Sequence, residues 1–170
     1  MDELKWLIAR EIPHLRRYAL ALLRDPDAAD DLVQDCLERA LRKRHLWRRH
    51  GSMRSWLFRI LYTVFLNAKK TRWRDKLTVP LETIAPTLGV LPRQEKYVEC
   101  CDIAEALAHL PDPQYAAIML IALEGLSYDE AAWILGVPIG TLRSRLSRGR
   151  ETLRTLGVRA FHHDKVRRIK

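Results

Sequence analysis

Residues 126–153, LSYDEAAWILGVPIGTLRSRLSRGRETL, leave the chain little choice of local structure. Ser127 and Glu130 have the reciprocal spacing of a capping box, which starts a helix. Ala131, Ala132 and Leu135 repeat at helical spacing and form its inward face. Gly136 then stands where a left-handed residue ends a helix, and Pro138 opens another. Because Ala131 and Ala132 are small, two short helices can cross closely at a steep angle, so the spacing predicts a helix-turn-helix.

The second helix of the motif sorts its side chains sharply. At about 100° per residue, Ile139, Leu142, Leu146 and Leu153 fall in one stripe, the expected core face. Gly140, Thr141, Ser144, Ser147 and Arg148 lie opposite, with Arg143 and Arg150 on one flank and Arg145 on the other. Arginine bonds guanine bidentately, serine and threonine adapt to several base edges, and flanking arginines neutralise phosphates, so this face suits a major groove. Gly140 and Thr141 sit at the helix start, where the N-terminal dipole favours a phosphate. The remaining composition agrees: lysine and arginine outnumber aspartate and glutamate 30 to 21, a formal charge of +9 that points to a polyanionic partner.

The rest of the 170 residues reads as helix, with apolar residues at helical rather than alternating spacing, so the expected class is all-α. A short helix over about residues 2–11 is expected to stop near Pro13, and a second to carry Leu15, Ala19 and Leu22 inward. In RDPDAADD, Asp25 caps, Pro26 takes the first helical position, and Asp27, Asp30 and Asp31 complement the helix dipole. That helix turns Leu32, Val33, Cys36, Leu37, Ala40 and Leu41 to one side and Asp31, Gln34, Asp35 and Glu38 to the other. After a break near Gly51 a further helix carries the stripe Trp56, Leu57, Ile60, Leu61, Val64 and Phe65, with Trp56 expected in the core. Pro80, Pro86, Gly89 and Pro92 mark a linker, and helices resume at about Tyr97. The expected division is a first domain over 1–75, a linker over 76–97, a second domain over 98–158 and a basic tail over 159–170 that includes His162 and His163.

Several classes are excluded or disfavoured. No apolar run reaches the roughly 18 residues of a membrane span, and MDELKW lacks the basic start of a signal peptide, so the cytoplasm is expected. Cys36, Cys100 and Cys101 have no metal-ligand spacing and read as reduced thiols. There is no phosphate-binding glycine loop and no nucleophile paired with a histidine; the reading is a protein without catalysis, cofactor or metal.

GVPIGTLRSRLSRGRETL closely resembles the second half of region 4 of the extracytoplasmic-function sigma factors, small promoter-recognition subunits of bacterial RNA polymerase in the sigma-70 family. RYALALLRDPDAADDLVQDCLERAL resembles their regions 2.1 to 2.2, and SMRSWLFRILYTVFLNAKK their regions 2.3 to 2.4. The resemblance implies sigma region 2 and sigma region 4 as the two domains, core RNA polymerase and promoter DNA as partners, and an anti-sigma factor as inhibitor. It implies that Asp31, Gln34 and Asp35 bind the polymerase. It further implies that Pro138, Gly140, Thr141, Arg143, Ser144, Arg145, Ser147 and Arg148 meet the −35 duplex. The melted −10 strand falls to Thr63, Asn67, Lys69, Lys70, Arg72 and Trp73, with Arg74 alongside, since cations hold the backbone and planar groups stack on bases. Thr63 stands where the family often has asparagine, and Asn67 where it often has aspartate. Ser147 replaces a bulky aromatic found in some relatives. The competing reading is a helix-turn-helix repressor or activator working without polymerase; a basic RNA-binding protein is a third.

Overall fold

The computed structural model describes residues 2–47, 52–76, 103–104 and 106–156. Among the described residues the α-helices with both ends visible are α1 Asp2–Leu23, α2 Pro26–Arg42, α3 Met53–Lys76, α4 Asp112–Ala122, α5 Tyr128–Leu135 and α6 Ile139–Thr155. A 3₁₀ turn, Arg44–Leu46, follows α2, and no strand occurs among the described residues. Helices α1, α2 and α3 pack mutually as one group, and α4, α5 and α6 as another.

The predicted helix boundaries have their physical causes in place. The Asp25 carboxylate accepts hydrogen bonds from the backbone N–H of Asp27 (3.0 Å) and Ala28 (3.2 Å), with Pro26 at the first position, where its missing donor costs nothing. At α5 the capping box is reciprocal: Ser127 Oγ accepts from Glu130 N–H at 3.3 Å, and Glu130 Oε2 from Ser127 N–H at 3.0 Å. Gly136 closes α5 in the left-handed region, at φ 66° and ψ 37°. Val137 N–H returns to the Ala132 carbonyl at 3.1 Å, completing the turn into α6.

In the first group Leu15, Tyr18, Ala19, Cys36, Leu57 and Leu61 lose all solvent contact. Tyr18 and Phe58 pack with ring centroids 5.4 Å apart. The Cys36 thiol donates to the Leu57 carbonyl at 3.5 Å, and burial pushes its pKa up to about 12 against the opposing charge of Arg39, so it is an inert core thiol. Cys100 and Cys101 lie outside the described residues. In the second group Leu142, Leu146 and Leu153 of α6 are buried as predicted; each contributes about 1.5–3 kcal/mol by leaving water. Gly149 lies between them, and a Cβ there would stand 2.6 Å from Ile118 Cδ1, so α6 approaches α4 as closely as it does because that position has no side chain.

Three expectations need correction. Helix α1 does not stop at Pro13 but runs through it, since Ile8 and Leu15 on either side anchor in one core and offset the roughly 3 kcal/mol that an interior proline costs. Leu41 is exposed rather than inward, because it lies in the last turn of α2. Trp56 is only half-buried, whereas Phe58 and Tyr62, outside the predicted stripe, are buried. The cause is that α3 packs on two sides, against α1 and α2 and against α5, so one stripe cannot describe it. The break at Gly51, the helix resumption at Tyr97, the tail, and the linker apart from Lys76 at the end of α3 lie outside the described residues; residues 103–104 and 106–108 are helical.

The two groups meet through hydrogen bonds and charge. Glu124, just after α4, has no side-chain exposure. It accepts from Arg17 Nε at 2.8 Å, Arg17 Nη2 at 3.0 Å and Arg54 Nη2 at 2.6 Å, with His14 Nδ1 3.2 Å away. Arg17 also bonds the Leu123 carbonyl, and Arg54 that of Glu124. Around this cluster Ser55 Oγ donates to Glu130 Oε1 (2.8 Å), Tyr18 OH to the Ala116 carbonyl (3.3 Å) and Tyr115 OH to the Ala21 carbonyl (2.8 Å).

Two predictions follow from this packing. Gly136→Ala meets no atom within 4 Å, so its cost is conformational, about 1–2 kcal/mol, read as a lower urea midpoint at unchanged slope. Burial pushes the Glu124 pKa up, but hydrogen bonds and charges from Arg17 and Arg54 outweigh it and hold the pKa below the ordinary 4.5. The stabilisation is therefore complete above that ordinary value and is lost as pH falls through the lowered one. The stability gap between wild type and Glu124→Gln should narrow as pH falls below about 4.5, and a pH-independent gap would contradict the ionised cluster.

Candidate nucleic-acid interface

The predicted −35 face lies on the second helix of a formed helix-turn-helix. With Leu142, Leu146 and Leu153 inward, α6 turns Gly140, Arg143, Ser147 and Arg148 fully outward, while Thr141, Ser144 and Arg145 are half-buried and Pro138 caps the exposed start. Side chains here order one another: Ser144 Oγ donates to the Thr141 carbonyl at 2.9 Å and accepts from Arg148 Nη2 at 3.4 Å. Arg148 is thereby held along the helix face, one turn beyond Ser144, in a position that can exchange this weak bond for a base edge. Arg150 donates to Tyr128 OH at 3.1 Å, bracing α6 on α5. The flanking arginines thus differ, since Arg143 is exposed and Arg150 is engaged.

Residues assigned to the −10 strand share α3 but not one environment. Thr63, Asn67 and Lys70 are exposed; the Thr63 hydroxyl donates to the Arg59 carbonyl at 2.8 Å, leaving its oxygen free to accept. Lys69 is half-buried and pairs with Asp112 at the start of α4. Arg72, Trp73 and Arg74 lie on the helical backbone of α3, and their side chains are outside the described part.

Asp31, Gln34 and Asp35 are exposed on α2, as the periodicity predicts. Asp31 and Asp35 border an open cleft of about 400 Å³ with an apolar floor including Leu32 and Phe65; Lys69 and Asp112 complete its rim. An acidic edge beside an apolar floor, on a chain of net charge +9, is a surface chemically unlike the α6 face.

Sequence reasoning missed the residues that join these surfaces: Arg17, Arg54, Ser55, Arg59, Glu124 and Trp133. Arg59 donates to the Trp133 carbonyl and lies 4.6 Å from the centre of the Trp133 ring, a cation–π contact between α3 and α5. Burial pushes the Tyr62 phenol pKa up, against the opposing charge of Arg145 on α6. The available signal was slight: Glu124 is a lone acid between the apolar end of α4 and Gly125, and its partners are 107 and 70 residues away.

Residues 8–62 match the family described as the sigma2 domain of PhyR, and residues 102–153 match sigma-70, region 4. The chain is 36% identical to the ECF RNA polymerase sigma factor EcfG of Rhodopseudomonas palustris, over 91% of this chain and 85% of that protein. Its fold is similar to that of the sigma factor RpoE solved with the anti-sigma factor NepR from Bartonella quintana, at 35% identity and a TM-score of 0.76, covering 92% and 97% of the two chains. The anti-anti-sigma factor PhyR, solved with NepR from the same organism, shares the fold at 20% identity and a TM-score of 0.60, over 89% of this chain and 49% of that one. The two matched regions, in this order, and the likeness to EcfG along nearly the whole chain leave no support for a stand-alone repressor: the chain belongs to the extracytoplasmic-function RNA polymerase sigma factors of the sigma-70 family.

Proposed function

We propose that this sigma factor works in the cytoplasm, without catalysing a reaction, through three surfaces assigned to individual residues. Asp31, Gln34 and Asp35 on α2 bind core polymerase. Thr63, Asn67, Lys69, Lys70, Arg72 and Trp73 on α3 hold the melted −10 strand. Pro138, Gly140, Thr141, Arg143, Ser144, Arg145, Ser147 and Arg148 read the −35 duplex. Region 2 takes residues 1–75, region 4 residues 98–158, with 76–97 as the linker and 159–170 as a basic tail. The observation that carries this reading is the α6 face, where buried leucines turn Arg143, Ser147 and Arg148 outward together. An inhibitor related to NepR is the expected regulator, by analogy with the RpoE complex.

The match of residues 8–62 to the sigma2 domain of PhyR motivates a second reading, a sigma-like chain that captures an anti-sigma factor and initiates nothing. Run-off transcription with purified core polymerase separates the two. Promoter-specific initiation is expected, and folded chain that initiates at no promoter of its own genome would reject the sigma reading.

Residue roles have separate tests. Arg143→Ala or Arg148→Ala should cost about 1–3 kcal/mol in promoter binding and relax preference within the −35 element. Equal losses on a scrambled −35 sequence would make these arginines phosphate contacts only. Asp31→Ala combined with Asp35→Ala should weaken competition for core polymerase about fivefold to tenfold, the scale of two exposed charge contacts; undiminished competition would remove α2 from that interface.

A further inference from the structure

Arg143, Arg150 and Arg154 follow one another along a single flank of α6, and each is held differently. Arg143 is exposed. Arg154 pairs with Glu151, one turn behind it, which offsets its charge. Arg150 is half-buried and has no carboxylate partner among the described residues; a neutral group holds it instead, the Tyr128 hydroxyl, which accepts from Arg150 Nη2 at 3.1 Å. A carboxylate fixes an arginine and neutralises it together, whereas a hydroxyl fixes it and leaves its charge whole. Two acids follow Tyr128 in the chain, yet neither takes Arg150: Glu130 is engaged by Ser127 and Ser55, and Asp129 is exposed. The acceptor is itself fixed. Tyr128 is the first residue of α5, whose start is set by the Ser127–Glu130 capping box, and its ring packs on the core of buried residues.

We propose that Tyr128 is a positioning residue of the −35 interface, whose hydroxyl holds Arg150 in the orientation from which the guanidinium binds a backbone phosphate of the duplex. This role rests on the −35 reading of α6 proposed above. In a helix-turn-helix the second helix enters the major groove while the first crosses the backbone, so a pair that joins the start of α5 to the flank of α6 meets phosphates rather than base edges. A guanidinium carries several N–H donors in a fixed fork, and the bond to Tyr128 uses one, leaving the rest of the fork for phosphate oxygens. Arg150 stands two turns beyond Arg143, about 10 Å along the helix axis, and therefore grips the duplex at a separate point. Because its holder belongs to α5, that grip is tied to the way the two helices cross. Without the hydroxyl, Arg150 samples several rotamers, and apparent affinity falls with the fraction that remains competent to bind.

The full chain assembled with core polymerase tests this on labelled promoter duplexes that carry either the cognate or a scrambled −35 sequence, titrated over a range of salt. Arg150→Ala should weaken binding to both duplexes alike and lower the slope of log affinity against log salt by about one, the mark of a lost phosphate contact. Where Arg150→Ala loses helicity, Arg150→Gln takes its place. Tyr128→Phe keeps the packed ring and removes only the hydroxyl; it should weaken binding to both duplexes about threefold to tenfold, the scale of one hydrogen bond. Added to the Arg150 variant, Tyr128→Phe should cost nothing more, because its effect runs through that arginine. A role confined to stability would lower the urea midpoint of the free chain and leave the salt slope and this non-additivity unmoved. Unchanged binding by Tyr128→Phe overturns the proposal, as do losses that add to those of Arg150 or that fall on the cognate duplex alone. Arg143→Ala and Arg148→Ala in the same assay separate the two failures. If they lose cognate preference while Tyr128→Phe has no effect, the positioning role alone is wrong; if they too leave cognate binding untouched, the −35 reading falls and the positioning role with it.

Discussion

A carboxylate removed from water costs several kcal/mol unless other charges replace its hydration, and Glu124 is such a carboxylate. Its two oxygens take a guanidinium fork from Arg17 and a third bond from Arg54, each of them charge-assisted. The arginines stand on α1 and α3 and the acid on the turn after α4, so keeping one side chain ionised brings the two halves of the molecule into register. The Tyr18, Ser55 and Tyr115 hydroxyls then find their acceptors across the same seam. Apolar burial builds each half and continues where α3 packs on α5, while ionic solvation fixes the register in which the halves meet.

Within region 4 the order of causes is different. Leucines at 142, 146 and 153 leave α6 one rotational setting, and Gly149 lets it lie close on α4, where any larger residue would push Ile118 away. The outward set is then dictated by geometry rather than by charge. Arg148 rests on Ser144 and Arg150 on Tyr128, so two of the arginines on α6 are positioned before any partner arrives. Holding an arginine beforehand lowers the rotamer entropy lost on contact, on the order of 0.5–1.5 kcal/mol per side chain.

Much of this was legible in the residue pattern wherever a local rule acts alone. The Asp25–Pro26 start, the Ser127–Glu130 box, the Gly136 terminus and the α6 stripe each depend on residues within a few positions of one another, and each is present. Pro13 failed as a stop signal because burial of Ile8 and Leu15 acts across the whole length of α1 and outweighs a local penalty. On α3 a single-stripe reading could not find Phe58 or Tyr62, since that helix is wetted on neither of two faces. The charged seam was invisible for a related reason: Arg17, Arg54 and Glu124 each resemble an ordinary surface charge until the chain brings them together from 70 and 107 residues apart.

Helix α3 concentrates these demands. One side supplies Leu57, Leu61 and Val64 to the region 2 core; another supplies Arg54, Ser55 and Arg59 to region 4. Thr63, Asn67 and Lys70 remain exposed. A helix covered on two faces keeps only a narrow solvated side, which explains why its apolar pattern is blurred and why its cations are not interchangeable. Arg54 touches a buried acid and is committed to the seam, whereas Lys69 meets Asp112, which is 70% exposed, through a contact that water screens and a phosphate can displace. Strength therefore grades along α3 from a desolvated ion pair near its start to a wet one four turns later.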